Sequence, residues 1–414
     1  MTSGWKILAA AGCAALLASP ACADSKPLDA ATRVAALHAI EGTIQKNYVF
    51  PELKAPLAAK LEQANAVHRY DGDDADTFAR HVTEDMAAVA HDGHLYLDND
   101  PDQYAALLAP PKSDAGQDAY YRAIAIRENS GLEEEKILPG NIRYLRITAF
   151  HWTAGITPRA YDDAARFLKD SDAIIVDLRE NGGGDSDAAD YFMKTIVKPN
   201  QDKPVYILVD GHVASAGEAV PYYLQQAKEA IIVGSTTYGA ANNNKKFPIA
   251  PQFVLSVSYN RPVNPISHTN WEGTGVIPDI KARGSEALET AELDALGKLA
   301  AKPGAKPDAL ADYKWARTGI EARLHPVTIP RETLKRYAGR YGTITLRLAD
   351  DGLRFSRSDR PRWEQDVLLI PMDANGLFAM QGTDALRIRI SPTSLELLHG
   401  SEDAREPFPR DAKP

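Results

Sequence analysis

Cysteine is nearly missing from this 414-residue chain, which has only Cys13 and Cys22. Both fall in an N-terminal stretch that reads as a cleavable leader, so the mature chain is expected to hold no disulfide and no thiolate nucleophile. Long apolar runs are lacking too. None approaches the ~18–20 residues that a membrane-spanning helix needs. Basic clusters are absent, and 47 Lys and Arg face 56 Asp and Glu, a formal net charge of −9. An acidic chain without a Lys/Arg patch argues against nucleic-acid binding. Neither GxxxxGK[ST] nor GxGxxG occurs, which sets nucleotide binding aside, and there is no HExxH zinc motif. No internal repeat or low-complexity segment is found. What remains is ordinary globular composition, 44% hydrophobic and 25% charged. It leaves room for two or three domains at about 100–200 residues each.

The leader reading rests on order. Lys6 is the sole charge before Asp24, an apolar stretch runs from Ile7 to Leu17, and Pro20 precedes Ala21-Cys22-Ala23. Residues 1–23 are therefore expected to be a secretory signal peptide cut after Ala23, placing the chain in the periplasm or outside the cell. A lipoprotein reading through Cys13 fits less well, because the apolar region before it is short.

Beyond the leader, residues 28–92 read as an N-terminal helical domain, with Leu37, Ile40, Ile44, Leu57 and Leu61 at helical spacing. Residues 98–117 read as a polar loop. Residues 93–300 form an expected α/β domain of strand–helix repeats, of the crotonase/Clp-like kind, with strands near 142–147, 173–178, 205–209, 231–233 and 253–259. A linker is expected at 301–329. A small β-rich domain follows at 330–405, where Asp350-Asp351-Gly352 between two alternating runs signals a hairpin.

The chemistry-bearing residues cluster by type. Ser215 follows the apolar run Val205–Val209 on a small-residue turn and precedes a helical stretch. A serine on such a turn can present its hydroxyl in a cleft, with the next N–H groups ready for an oxyanion. The plainer alternative is that Ser215-Ala-Gly-Glu218 is only a capping box. A serine nucleophile needs a base, and His94 in Asp92-Gly93-His94 is the first candidate, with His91 second. His91 and His94 at i, i+3 would also suit a metal, but no third ligand stands out. The Asn181-Gly-Gly-Gly184 run lies between a strand and a helix, where N–H groups favour negative charge.

Taken in order, Asp177-Leu-Arg-Glu-Asn-Gly-Gly-Gly184, Val213-Ala-Ser-Ala-Gly-Glu218 and Gly275-Val-Ile-Pro-Asp279 resemble the tail-specific (C-terminal processing) protease family. That family includes the tricorn core protease and the interphotoreceptor retinoid-binding protein. The resemblance covers about residues 36–285. Asn47-Tyr-Val-Phe-Pro-Glu52 and Leu138-Pro-Gly-Asn-Ile142 resemble the retinoid-binding branch in particular. One branch uses a Ser–Lys dyad, but Ala240 stands where its lysine would be, with Lys245 and Lys246 outside the motif. The tricorn-like branch uses serine, histidine and an acid. Its pattern places the histidine on His94 and the glutamate on Glu272, while Gly93 replaces the serine that precedes the histidine there.

The resemblance thus implies a serine peptidase acting on a peptide or protein substrate. Ser215 is the nucleophile, His94 the general base and Glu272 its orienting acid. Ala216 and one glycine of 182–184, Gly183 in particular, hold the oxyanion. No metal or organic cofactor is needed. Activity should fall on acidification around the ~6–7 expected of an imidazole base. Residues 95–139 leave no room for the PDZ domain of the processing proteases, so their tail specificity is not implied. Two alternatives stay open: a non-catalytic binder of apolar ligands, and an esterase using the same triad.

Overall fold

A computed structural model describes residues 27–109, 114–325, 327–360 and 365–412. The expected leader lies outside them. Among the described residues no helix is long and apolar enough to cross a membrane. Two units divide the chain, one of residues up to 90 with 95–108 and 245–257, the other of 91–94, 109–244 and 258–414.

In the first unit, helices Ala30–Asn47, Pro51–Ala66 and Ala75–Ala90 carry the expected helical region. Asp29 caps the first of them by accepting from the Thr32 N–H at 2.9 Å. Leu37, Ile40, Ile44, Leu57, Leu61, Phe78 and Val82 close the core. The unit also takes a three-stranded sheet in the order Tyr96–Asn99, Phe253–Asn260, Asn243–Ile249. The expected boundary at 92 is therefore corrected: residues 245–257 join this unit by pairing, Leu97 facing Leu255. The expected loop at 98–117 is corrected as well, since helices span Pro101–Leu108 and Asp114–Arg127. Asp100 starts the former by accepting from the Gln103 N–H at 2.8 Å, with Pro101 suited to the first turn.

The second unit is built on a six-stranded sheet. Its strands, in order, are Leu132–Leu138, Ile142–Ile147, Ala173–Asp177, Val205–Val209, Ile231–Gly234 and Ile280–Lys281. The first pair is antiparallel and the rest are parallel. Alternate side chains serve opposite faces. Ile174, Val176, Val205, Ile207 and Val209 pack with helices Thr157–Leu168 and Ala216–Ala227, whereas Ile175, Tyr206 and Leu208 pack with Ala287–Ala301. Covering both faces explains why these strands read as continuous apolar runs. The parallel strands end at the turns that carry Asn181 and Ser215, the usual place for a ligand in such sheets.

The expected linker at 301–329 is mostly helix, Pro307–Leu324. Tyr313, Ala316 and Ile320 bury one face against the sheet, and Tyr313 donates to Asp172 at 2.9 Å. The Lys/Pro/Gly run before it hides the helix from a local reading. The remaining chain is an eight-stranded antiparallel sheet from Gly339–Tyr341 to Arg405–Pro409, each strand beside its chain neighbour. The expected hairpin is present, Leu348 facing Leu353. Asp411 donates its N–H to the Arg340 carbonyl at 2.9 Å and accepts from the Gly342 N–H at 2.9 Å, so the chain end returns to the first strand. The sheet is held to the helix by Trp315 Nε1–H on the Asp384 carbonyl at 2.7 Å and by the Arg387 guanidinium 3.7 Å from the Trp315 ring centre.

Glu292, in the Ala287–Ala301 helix, is only 3% exposed. Burial pushes its carboxyl up from 4.5 to about 7, with Arg323 opposing and Glu289 and Asp384 adding. The folded chain therefore keeps a proton that the unfolded chain releases near 4.5, and stability is lost as pH rises through that window. Glu292→Gln should raise thermal stability at pH 8, by on the order of 1–3 kcal/mol, and leave it nearly unchanged at pH 4.5. Melting curves at the two pH values check this, and an equal change at both would count against it.

Candidate active site

The strand Val205–Val209 ends in a turn that returns Ser215 with φ 55° and ψ −123°. A non-glycine residue at positive φ is uncommon and strained, and serine nucleophiles sit on such elbows. The turn is over-determined from below. Asn181, fully buried, takes the Ala214 N–H on its carbonyl at 3.1 Å and gives its side-chain amide to the Ile147 carbonyl at 2.9 Å.

Glu218 holds the turn from the other side. It is 0% exposed, yet its carboxylate accepts four hydrogen bonds. Oε1 takes Thr237 Oγ1–H at 2.5 Å and the Gly239 N–H at 2.6 Å, and Oε2 takes the Ala240 N–H at 2.8 Å and the Ser215 N–H at 3.0 Å. The layout is that of a capping box, and the Glu218 N–H also reaches the Ser215 carbonyl at 2.9 Å. The Glu218 side chain thus ties the serine to the 237–240 loop.

Ser215 and Ala216 line a cavity of about 460 Å³, with Gly184, Asn242, Tyr259 and Trp271 among its other walls. Ala216 begins the helix, so its N–H belongs to the first turn, where donors face outward and negative charge is favoured. The glycine run is placed differently from expectation. Gly183 is buried, and its N–H donates to Asn181 Oδ1 at 2.8 Å. Its role here is close approach: at φ +103°, a Cβ would lie 2.9 Å from Ser215 Cβ and 3.0 Å from the Ala216 nitrogen. Gly184, the next residue, is the one in the cavity wall.

His94 belongs to the short segment His91–His94. Asp92, 4% exposed, accepts the His94 N–H and the Ser258 hydroxyl on Oδ1, each at 2.9 Å. The His94 ring donates to the Asn242 main chain. Asn242 also borders the Ser215 cavity, so His94 and Ser215 share it as a neighbour.

Glu272 lies beside this segment, but its contacts are with the main chain. Oε1 accepts the Gly93 N–H at 2.9 Å, and Oε2 accepts the Ala241 and Asn242 N–H groups at 2.7 and 2.8 Å. Burial pushes its carboxyl above the ordinary range, with Asp92 adding and the three amides opposing. Ala240, at the family lysine position, is buried. His91 is exposed, at φ 49°. Sequence reasoning missed three contributors. Asp92 adjoins the histidine and could have been found there, Glu218 was legible only as a cap, and Asn242 left no signal.

The model of peptidase family S41 matches residues 191–282, which include Ser215, Ala216 and Glu272. The carboxy-terminal-processing protease of Bartonella bacilliformis is 28% identical over 174 residues, covering 34% of this chain and 38% of that protein. The chloroplastic carboxyl-terminal-processing peptidase 1 of Arabidopsis thaliana is 28% identical over 130 residues, covering 31% and 25%. The chain is thus similar to peptidase family S41 over this segment. It spans well under half the length of these two relatives. The solved photosystem II D1 C-terminal processing protease aligns over 62% of this chain and 94% of its own, at 13% identity and a TM-score of 0.39.

The His94 ring is shifted toward its neutral form. Burial lowers its pKa from 6.5, while Asp92 and the Asn242 bond pull the other way. A base whose pKa is lowered stays unprotonated further into acid. The acid limb of kcat/KM should therefore lie below the ~6–7 expected from an unperturbed imidazole. A pH–rate profile on any turned-over substrate checks this, and a limb above pH 7 would contradict it.

Proposed function

We propose that this chain is a serine peptidase that cleaves peptide bonds through an acyl-enzyme on Ser215. The observation that carries the reading is the strained elbow: Ser215 at φ 55°, in a cavity wall, at the start of a helix. His94 takes the Oγ proton as Oγ bonds to the acyl carbon, then passes it to the leaving amine as the C–N bond breaks. Water, activated by His94, then hydrolyses the ester. Ala216 N–H and, in place of Gly183, Gly184 N–H are the oxyanion donors. Glu272 fixes the segment that carries the base. The leader-like sequence supports export to the periplasm or beyond.

The test is a fluorophosphonate probe on the folded protein at neutral pH, read by intact mass. A single adduct, absent from Ser215→Ala, is expected. A folded protein that takes no label, and that co-purifies with an apolar ligand, would favour the binder. Turnover of acyl esters without any peptide would favour the esterase.

A further inference from the structure

Glu272 was expected to be the acid partner of the base, yet its two oxygens already hold three main-chain N–H groups, on Gly93, Ala241 and Asn242. Those bonds pin two loops together and spread its charge over fixed dipoles. Asp92 stands differently. It lies two residues from His94 and holds the His94 N–H at 2.9 Å, a turn that fixes the histidine backbone. Its Oδ2 meets Asn242 Nδ2 at 3.4 Å, and the Asn242 main chain in turn receives the His94 ring. Asp92 is 4% and Asn242 0% exposed, so the link is shielded from water, where a charge acts strongly. The titratable groups near the base are Asp92 and His91 in its own segment, Glu272 facing Gly93, and Tyr238, whose ring packs against Gly93.

We infer that Asp92, through its buried charge and its link to Asn242, stabilises the His94 imidazolium, and that Glu272 is a positioning residue acting through the main chain. The catalytic consequence rests on the peptidase reading above. The electrostatic part does not, because His94 titrates whether or not the protein turns anything over. Burial disfavours the charged ring, and Asp92 is the nearby charge that opposes it.

The experiment is an NMR titration of the His94 ring in the full chain, its resonance assigned by its loss in His94→Gln, for wild type, Asp92→Asn and Glu272→Gln. Asp92→Asn should lower the His94 pKa by about one unit or more, and Glu272→Gln should move it far less. In turnover, Asp92→Asn should lower kcat on the order of 10²-fold with little change in KM, its acid limb shifting with the ring. An unmoved ring in Asp92→Asn, or a larger shift in Glu272→Gln, overturns the inference. Ser258→Ala keeps the charge but removes a hydroxyl that Asp92 accepts. It should raise the His94 pKa and covers the case in which Asp92→Asn does not fold; a fall would overturn the inference. Loss of fluorophosphonate labelling at Ser215 would speak against the peptidase reading alone.

Discussion

Ser215→Ala should lower kcat by on the order of 10³-fold or more, because nucleophile and base act as a unit. The fold should survive the change. Alanine meets the same backbone strain as serine at φ 55°, and the Ser215 N–H keeps its bond to Glu218. The Glu218 N–H keeps its bond to the Ser215 carbonyl, and what is lost is the hydroxyl arm of the capping box. Stability in melting should therefore fall by no more than about 0.5–2 kcal/mol, the cost of an N-cap hydroxyl. Stability and activity should thus part company. Peptide turnover retained within about tenfold would sink the nucleophile assignment, and a large drop in melting temperature would show that Ser215 is mainly structural.

The second large effect is expected at Glu218. Glu218→Gln nearly preserves shape but puts an NH₂ where one oxygen accepts two hydrogen bonds. Every partner of the carboxylate is a donor: Thr237 Oγ1–H and the N–H groups of Gly239, Ala240 and Ser215. Whichever way the amide turns, two buried donors face another donor. Hydrogen bonds to charged groups contribute ~1.5–3 kcal/mol each, so a loss of roughly 3–5 kcal/mol in folding stability is expected. The Ser215 turn and the 237–240 loop would lose their common anchor, so the labelling rate of Ser215 should fall even where the protein stays folded. Urea unfolding and probe kinetics measure the two effects. A variant as stable and reactive as wild type would mean that the carboxylate is dispensable.

Much of the second unit is legible in the sequence because its strands are buried on both faces. Ala173–Asp177 and Val205–Val209 carry side chains that are apolar almost throughout, and each ends at a small-residue turn. Strands with charged residues escape such a reading. Leu132–Leu138 holds three glutamates and a lysine, and Asn243–Ile249 holds two lysines, and both were missed. The helix Pro307–Leu324 was hidden by its basic, Pro-containing approach. At the site, Ser215 is legible as a turn and His94 as the end of Asp-Gly-His. The work of Glu272 is not, because its Gly93 partner lies 179 residues away. Local pattern shows that an acid is present, and only the fold shows which N–H groups it meets. The same holds for Gly183, whose N–H is taken by Asn181.

The C-terminal sheet has a consequence for the order of assembly. Each of its strands pairs with the one before it in the chain, whereas the parallel sheet must bring together strands separated by helices. Closing short loops costs less entropy than closing long ones, and structures rich in local contacts form faster. The meander can therefore form early and without waiting for the strand that leads to Ser215. Its last residues then set Asp411 on Arg340 and Gly342, along the otherwise unpaired side of its first strand. That contact covers part of an edge that would otherwise recruit strands from other chains while the slower sheet is still incomplete.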